Sequence, residues 1–366
     1  MRFARLHRYS AYSDLSWVPL WHQVIVRVST FLVLWLTVCP FSPSQNQRVS
    51  SLVHEGHAAL EAGDFPSATR NFEQARQLVP DDPEVNRGLL LSYLQEGQLG
   101  QAEEVGQTAV ARWPKDPDLQ HWLGLVYFKK SQNPAALAAL QRAAALDPSR
   151  SDVHFDIALV FLSDSNDSEA ALELEKAIKL DPKAALAHVL LGRTYQNTNR
   201  TMDAVEQFQI ALRLDPNLSL GHYHLGFAYA SLGRNVEAIA EYEKELQHSP
   251  SNPAVLYQLG HRQLEAGDLK SAVEHLKKAT DLDPSHADAF YDLGKAILLQ
   301  GDADTAAAPL RRAIELKPAD PSPHYQLSRA LEKSGKKAES KQEMEIFATL
   351  KKAQPVTGGM ASGPIQ

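Results

Sequence analysis

The sequence has 366 residues, of which 44% are apolar and 22% charged, as in an ordinary folded protein. Residues 1–48 carry five arginines against Asp14, so a net charge of −7 leaves −11 on residues 49–366. An acidic body argues against nucleic-acid binding, which requires a basic face. The single cysteine, Cys39, excludes an intrachain disulfide and a zinc site built from several thiolates.

The N-terminal arm, residues 1–48, has the features of an export signal. Basic residues precede "VSTFLVLWLTV", residues 28–38, which is a run of eleven residues without a charge. This length suits a signal-peptide core and is shorter than the roughly 20 residues that span a bilayer. The arm therefore predicts an exported protein that is periplasmic, tethered to the membrane facing the periplasm, or secreted.

Four fates of this arm stay open. "LTVC", residues 36–39, resembles a bacterial lipoprotein box with Cys39 at the lipidated position, although Val38 stands where that box has Gly, Ala or Ser. Cleavage after Ser44 is a second outcome, and retention of residues 17–39 as a membrane tether is a third. The fourth is a buried N-terminal helix.

Proline recurs every 34 residues along the body of the chain, at Pro80, Pro114, Pro148, Pro182, Pro216, Pro250, Pro284 and Pro318. Such a fixed period is typical of repeat architectures. Taking each proline as position 32 defines nine repeats, 49–82, 83–116, 117–150, 151–184, 185–218, 219–252, 253–286, 287–320 and 321–354. Residues 355–366 are rich in Gly and Pro without an apolar period, and we predict a disordered tail there.

Each repeat predicts two amphipathic helices. Position 20 is Ala in the first eight repeats and position 8 is Gly or Ala in seven, as expected where two helix backbones approach closely. Gly at position 15 in six repeats is typical of the residue that follows a helix, and proline ends the second helix. Because one helical hairpin cannot bury its apolar face alone, neighbouring repeats must stack.

This pattern, with Tyr at position 11 in four repeats, resembles the tetratricopeptide repeat family throughout residues 49–354. The resemblance implies an all-α, right-handed superhelical solenoid of nine 34-residue helix-turn-helix repeats. Two departures carry expectations. Gly106 replaces the large residue at position 24 and predicts loose packing, and Glu245 replaces Ala at position 27 and predicts either a partner for a groove cation or a solvated side chain.

The sequence offers no catalytic or metal-binding motif. "HEGH", residues 54–57, is one residue too short for HExxH, and no P-loop, GxSxG or helix-opening GxGxxG occurs. Equivalent positions in stacked helix pairs lie on the order of 10 Å apart, whereas zinc ligands lie at about 2 Å from the ion. We therefore predict no enzyme, no cofactor and no metal, and a structural role for the position-4 histidines, which are His154, His188, His222 and His324.

By the resemblance, the first helix of each repeat lines a concave groove. In the later repeats, position 5 carries Tyr223, Tyr257, Tyr291 and Tyr325, and position 9 carries Arg193, His261, Lys295 and Arg329. Tyrosine beside a cation suits an extended segment with acidic side chains or a free carboxylate, although a tyrosine ladder equally fits a scaffold role. A second, less basic region is predicted around Arg87, His121, Trp122, Phe155, Asp156 and Val189.

These features predict a non-catalytic scaffold or assembly factor that holds an extended segment of a partner protein in the groove. Two alternatives are a homo-oligomerising structural module and a non-catalytic subunit of a separately encoded enzyme. We predict that the partners are other proteins and that nucleic acid is not among them. Residues 17–39 are the predicted contact with a membrane.

Overall fold

The computed structural model describes residues 43–353 and places them in eighteen α-helices, without a β-strand in that range. The chain divides into two compact parts, residues 1–51 and 52–366, and the helices from α2 onward lie in the second part. The helices are α1 (Pro43–Glu61), α2 (Phe65–Leu78), α3 (Pro83–Glu96), α4 (Leu99–Arg112), α5 (Pro117–Lys129), α6 (Asn133–Leu146), α7 (Ser151–Ser163), α8 (Asp167–Leu180), α9 (Ala185–Asn197), α10 (Thr201–Leu214), α11 (Gly221–Ser231), α12 (Asn235–His248), α13 (Pro253–Ala266), α14 (Leu269–Leu282), α15 (Ala287–Gln300), α16 (Ala303–Leu316), α17 (Pro321–Lys333) and α18 (Lys337–Ala353).

Consecutive helices pack against each other from α2 to α18, so each second helix lies between its own first helix and that of the next repeat. First helices of neighbouring repeats also contact one another, as in α13 with α15 and α15 with α17. The fold is an all-α helical repeat solenoid, which confirms the predicted fold class. The helix α1 begins at Pro43, before the predicted first repeat at Val49.

The spacing of small and large residues is explained by contact between positions 8 and 24 of one repeat. A Cβ atom added to Gly192 would lie 2.6 Å from the ring of Phe208, and one added to Gly260 would lie 2.7 Å from Leu276. Real Cβ atoms do not approach so closely, because interiors are packed to the density of organic crystals. The small residue at position 8 therefore lets the first helix rest on the large residue of the second.

Repeat 2 reverses this contact, and the expectation of loose packing at Gly106 is wrong. Leu90 holds position 8 there and is completely buried, while Gly106 holds position 24. A Cβ atom added to Gly106 would lie 2.9 Å from Leu123 and 3.3 Å from Leu90. The large residue has moved from the second helix to the first, and the space at Gly106 is filled.

A left-handed residue at position 15 ends the first helix of every repeat in the described range. Six are glycines with φ between +73° and +100°, at Gly63, Gly97, Gly233, Gly267, Gly301 and Gly335. The remaining three are Ser131, Ser165 and Asn199, with φ of 58°, 59° and 62°. The predicted helix stop is thus present also where the sequence lacks glycine, at the strain that a Cβ atom brings to this conformation.

Glu245 is neither solvated nor paired with a cation of the groove, so both expectations for it are wrong. Its side chain is buried, with 1% exposure, and its carboxylate accepts the backbone N–H of Leu220 and of Tyr223, each at 3.2 Å. The helix α11 begins at Gly221, two residues later than the repeat predicts, and Leu220 before it has a φ of 60°. The carboxylate thus satisfies donors that the start of α11 leaves open.

Several predictions concern residues outside the described range 43–353. These are lipidation at Cys39, the tether over residues 17–39, most of the export arm 1–48 and the disordered tail 355–366. Within the described residues, no helix combines the length and the apolar character that crossing a membrane requires.

Candidate protein-binding groove

The predicted groove residues lie on the first helices α9, α11, α13, α15 and α17, of which α9 contacts α11, α13 contacts α15, and α15 contacts α17. We call the side chains at positions 5, 6 and 9 of these helices the first-helix face. Its tyrosines are increasingly accessible toward the end of the array, since Tyr223 is packed against Tyr242 whereas Tyr325 is 39% exposed. Burial accordingly raises the pKa of the Tyr223 hydroxyl.

Tyrosine and cation come together twice on this face. The ring of Tyr257 lies 5.8 Å from that of His261 and 4.4 Å from that of His286. The guanidinium of Arg329 lies 5.9 Å from the ring of Tyr325, within the range of a cation–π contact. Tyr291 is half-buried against the core of the last three repeats. The face thus offers aromatic surface and positive charge side by side.

Position 9 of one repeat lies next to position 6 of the following repeat, which the sequence reading did not anticipate. His261 Nδ1 lies 2.6 Å from Asp292 Oδ2, and the Asp292 side chain is only 6% exposed. The imidazole of His261 is therefore already in contact with a carboxylate of the protein. The signal was present in the sequence as a spacing of 31 residues between a cationic and an acidic side chain.

The same register places Arg193 near His224. Burial, together with the charge of Arg193, lowers the pKa of His224 to about 3, so this imidazole is neutral at pH 7. The ring stacks on Phe208 at 5.6 Å and meets Tyr223 edge-on at 5.5 Å. This end of the first-helix face is therefore aromatic and apolar in character.

Lys295 and Arg329 differ from His261. Neither lies within 4.0 Å of a carboxylate among residues 43–353, and Arg329 instead donates to Gln326 Oε1 at 3.2 Å. Lys295 is half-buried, whereas Arg329 is exposed. Two cations without acidic partners on one face form a site at which a carboxylate of a ligand would be stabilised.

The second predicted region, in repeats 2 to 4, contains a partly exposed polar network, and its role in binding stays a prediction. Arg150 donates to Asp118 and Asp152 at 2.6 Å each and contacts His121 at 2.8 Å, while His121 Nε2 meets Asp156 at 2.6 Å. Burial opposes ionisation of Asp152, but the hydrogen bonds and charges of Arg150 and His121 hold its pKa below the usual value. Arg87 similarly pairs with Asp116 at 3.2 Å, so the cations here are already engaged.

The position-4 histidines each contact a side chain 19 residues later, on the second helix of the same repeat. His154, His222 and His324 meet Glu173, Glu241 and Glu343 at 2.6 Å, and His188 meets Gln207 at 2.8 Å. These contacts join the two helices of a repeat. No group of three or more metal-ligating side chains within residues 43–353 could hold an ion.

Solved structures similar to this chain include two that are described as TPR proteins. The C-terminal part of a TPR repeat-containing protein from Cytophaga hutchinsonii is 20% identical, with a TM-score of 0.56 over 66% of this chain and 99% of that one. PilF of Pseudomonas aeruginosa is 22% identical, with a TM-score of 0.49 over 56% and 94% of the two chains. YrrB, described as a TPR protein with an unusual peptide-binding site, is 24% identical, with a TM-score of 0.47 over 51% and 96%.

Sequence comparison supplies the family. No curated protein matches the chain. The profile of the tetratricopeptide repeat matches four successive segments, residues 54–117, 123–185, 189–253 and 257–321, which together span more than half of the chain. With the helix pairs and the 34-residue register described above, this chain belongs to the tetratricopeptide repeat family.

Proposed function

We propose that the chain is a non-catalytic scaffold that binds an extended, carboxylate-bearing segment of a partner protein on the first-helix face. The observation that carries the proposal is the pair of cations, Lys295 and Arg329, which lack a carboxylate partner within residues 43–353. Tetratricopeptide repeats are in general protein-interaction modules rather than enzymes, and the fold supports a function of that kind.

The chemistry of the face sets the class of ligand. An extended segment leaves its side chains free to meet successive repeats, and the tyrosines provide apolar area with little conformational entropy to lose. A carboxylate of the segment meeting half-buried Lys295 forms a charge-assisted hydrogen bond, worth about 1.5–3 kcal/mol. Because His261 is already paired with Asp292, we place the acidic side chains of the segment against repeats 8 and 9.

We also propose that this scaffold acts outside the cytoplasm. The support is the basic lead and the uncharged run at residues 28–38. N-terminal sequencing of the protein from its native host tests this proposal. A mature N terminus at or after Cys39 is the expected result, and an intact, unmodified arm on a cytoplasmic protein contradicts it.

The binding proposal is tested by charge reversal on the first-helix face. Full-length protein and its Lys295→Glu variant are used to capture proteins from envelope extract, with Lys277→Glu as a control because Lys277 is an exposed lysine of the same array. The expected result is a partner captured by the wild type and the control and lost with Lys295→Glu, and retained with Lys295→Arg. Capture of one protein set by all variants contradicts this assignment of the face.

A further inference from the structure

The last described repeat has a groove that shares Arg329, but not Lys295, with the site of the proposed function. The helices α17 and α18 enclose a cavity of about 450 Å³, lined among others by Lys333, Lys337, Lys341 and Met344. Met344, one of the lining residues, is 38% exposed. We call this cavity the end groove.

The end groove is the last member of a series whose other members each hold a helix. In repeat 8, the residues at the same positions as Lys337, Lys341 and Met344 are Ala303, Ala307 and Leu310, which are buried as α17 packs onto α16. The end groove therefore lies where an inner repeat seats a helix. It differs in chemistry from the seat of repeat 8, since lysine replaces alanine at two positions.

The charge of the end groove is strongly one-sided. Arg329, Lys333, Lys337 and Lys341 line it with Glu332 as the one acidic side chain, and the three lysines have no ion-pair or hydrogen-bond partner in the part of the chain that the structure describes. Residues 321–366 carry seven Lys and Arg against four Glu, in contrast to the acidic body. Cationic side chains held close together repel one another, and an anion bound between them offsets this repulsion.

A merely solvating surface of this array is built differently. On α12, the basic residues pair with acidic ones three positions away, Lys244 with Glu241 at 2.8 Å and Arg234 just before the helix with Glu237 at 2.7 Å. The lysines of the end groove have no such pairing.

We propose that the end groove binds an acidic amphipathic helix of a partner protein, seated as the first helix of the following repeat would be. The carboxylates of that helix meet Lys333, Lys337 and Lys341, and one apolar side chain covers Met344. This site shares Arg329 with the first-helix face but contains neither Lys295 nor the tyrosines, so one array would hold two segments that meet at Arg329.

The test uses a helical peptide of about 18 residues, long enough to populate a helix, with Glu at i and i+4 on one face and Leu and Ala on the other. Its affinity for the full chain is measured by fluorescence anisotropy, beside a peptide in which Gln replaces every Glu. The variants are the triple Lys333→Glu, Lys337→Glu, Lys341→Glu, and a control with the same charge change, Lys115→Glu, Lys179→Glu, Lys277→Glu. Lys295→Glu is measured in parallel.

The expected result is binding of the acidic peptide that weakens at least about tenfold in the end-groove triple and with added salt, and that is unchanged in the control triple and in Lys295→Glu. Equal binding of the Gln peptide, or loss of binding in Lys295→Glu alone, overturns the proposal. Binding to vesicles of anionic lipid in preference to the peptide assigns the groove to a membrane surface and also overturns it. If the protein self-associates and the end-groove triple abolishes this self-association, the occupant is a second copy of the chain, and the proposal is likewise overturned.

Discussion

The carboxylate of Glu245 accepts the backbone N–H of Tyr223 at 3.2 Å, across the two helices of repeat 6. Every other inner repeat has alanine at this position, so a buried acidic side chain has replaced a small apolar one. The replacement accompanies a first helix that starts two residues late. One side chain thereby compensates for the shortened start of α11.

Replacing Glu245 by Ala, the residue of the other repeats, is expected to destabilise repeat 6. Two buried N–H groups lose their acceptor, at a cost of about 1–3 kcal/mol. The readout is amide hydrogen exchange of Leu220 and Tyr223, which becomes faster in Glu245→Ala. Glu245→Gln keeps one acceptor oxygen, so its exchange rates at these amides are expected to lie between those of the wild type and of Glu245→Ala. A Glu245→Ala protein with unchanged exchange at both amides contradicts the capping role.

The reversed contact of repeat 2 predicts strong coupling between Leu90 and Gly106. Gly106→Leu alone inserts a side chain against Leu123 and Leu90, and overpacking of this kind costs about 1–3 kcal/mol. The double variant Leu90→Gly, Gly106→Leu restores the arrangement of the other repeats and is expected to recover much of that loss. Urea unfolding of the two single variants and the double variant gives the coupling energy. Additive effects would falsify the exchange of roles.

The contact of position 4 with position 23 predicts which substitutions the second helix tolerates. Because Gln207 serves His188 as an acceptor in repeat 5, Glu241→Gln is expected to keep the contact to His222 and change the free energy of unfolding by less than about 0.5 kcal/mol. Glu241→Ala leaves His222 without this acceptor and is expected to cost about 1–2 kcal/mol. Urea unfolding followed by circular dichroism measures both. An equal cost for the two variants shows that the contact does not stabilise the repeat.

The left-handed residues at position 15 predict a stabilising substitution. Ser165 has a φ of 59°, a conformation in which a Cβ atom is strained, and glycine removes that strain at some cost in the entropy of the unfolded chain. Ser165→Gly is expected to raise the free energy of unfolding by about 0.5 kcal/mol. Ser168→Gly, three residues later within α8, is the matched control and is expected to lower it by up to about 1 kcal/mol. Destabilisation by Ser165→Gly contradicts the assigned backbone strain.

The buried His224 predicts a pH dependence of stability. Its pKa of about 3 in the folded chain lies below the value of about 6.5 in the unfolded chain, so only the unfolded state takes up a proton between these values. The free energy of unfolding therefore falls as the pH drops from 7 to 5, by up to about 2 kcal/mol. His224→Phe retains the stacking on Phe208 and is expected to flatten the dependence. His54→Phe, at an exposed site, should leave it as in the wild type.

The sequence predicted the helices and the fold class, because prolines, alanines and glycines at fixed positions report on contacts made inside every repeat. It failed where two residues share one contact. Gly106 looked like a defect because Leu90, sixteen residues earlier, was read as an ordinary leucine. Glu245 looked solvated because the shortened start of α11 leaves no mark at that position.

The sequence predicted which helices carry the candidate site residues, but not the electrostatics around them, and their role in binding stays a prediction. The tyrosines and cations lie on the first helices as expected, yet whether a cation is engaged depends on a residue in the next repeat. His261 is engaged because Asp292 holds position 6 of the next repeat, whereas Gln326 holds that position in the repeat after Lys295. Pairing across repeats depends on three-dimensional proximity, which a reading of each repeat by itself does not contain.

The pairing of Glu245 with α11 has a consequence for the way such an array can be shortened or lengthened. The N–H donors and the carboxylate acceptor belong to one repeat. Excising residues 219–252 as a block therefore removes both the late start of α11 and Glu245, and it joins two repeats that have neither feature. A cut between α11 and α12 separates the donors from the acceptor. A recombinant that keeps α11 then has alanine at the position of Glu245, so the start of α11 loses its acceptor. A recombinant that keeps α12 instead has a buried carboxylate without these N–H donors. Repeats of this protein are therefore best exchanged at a repeat start. Recombination between α11 and α12 is expected to destabilise repeat 6.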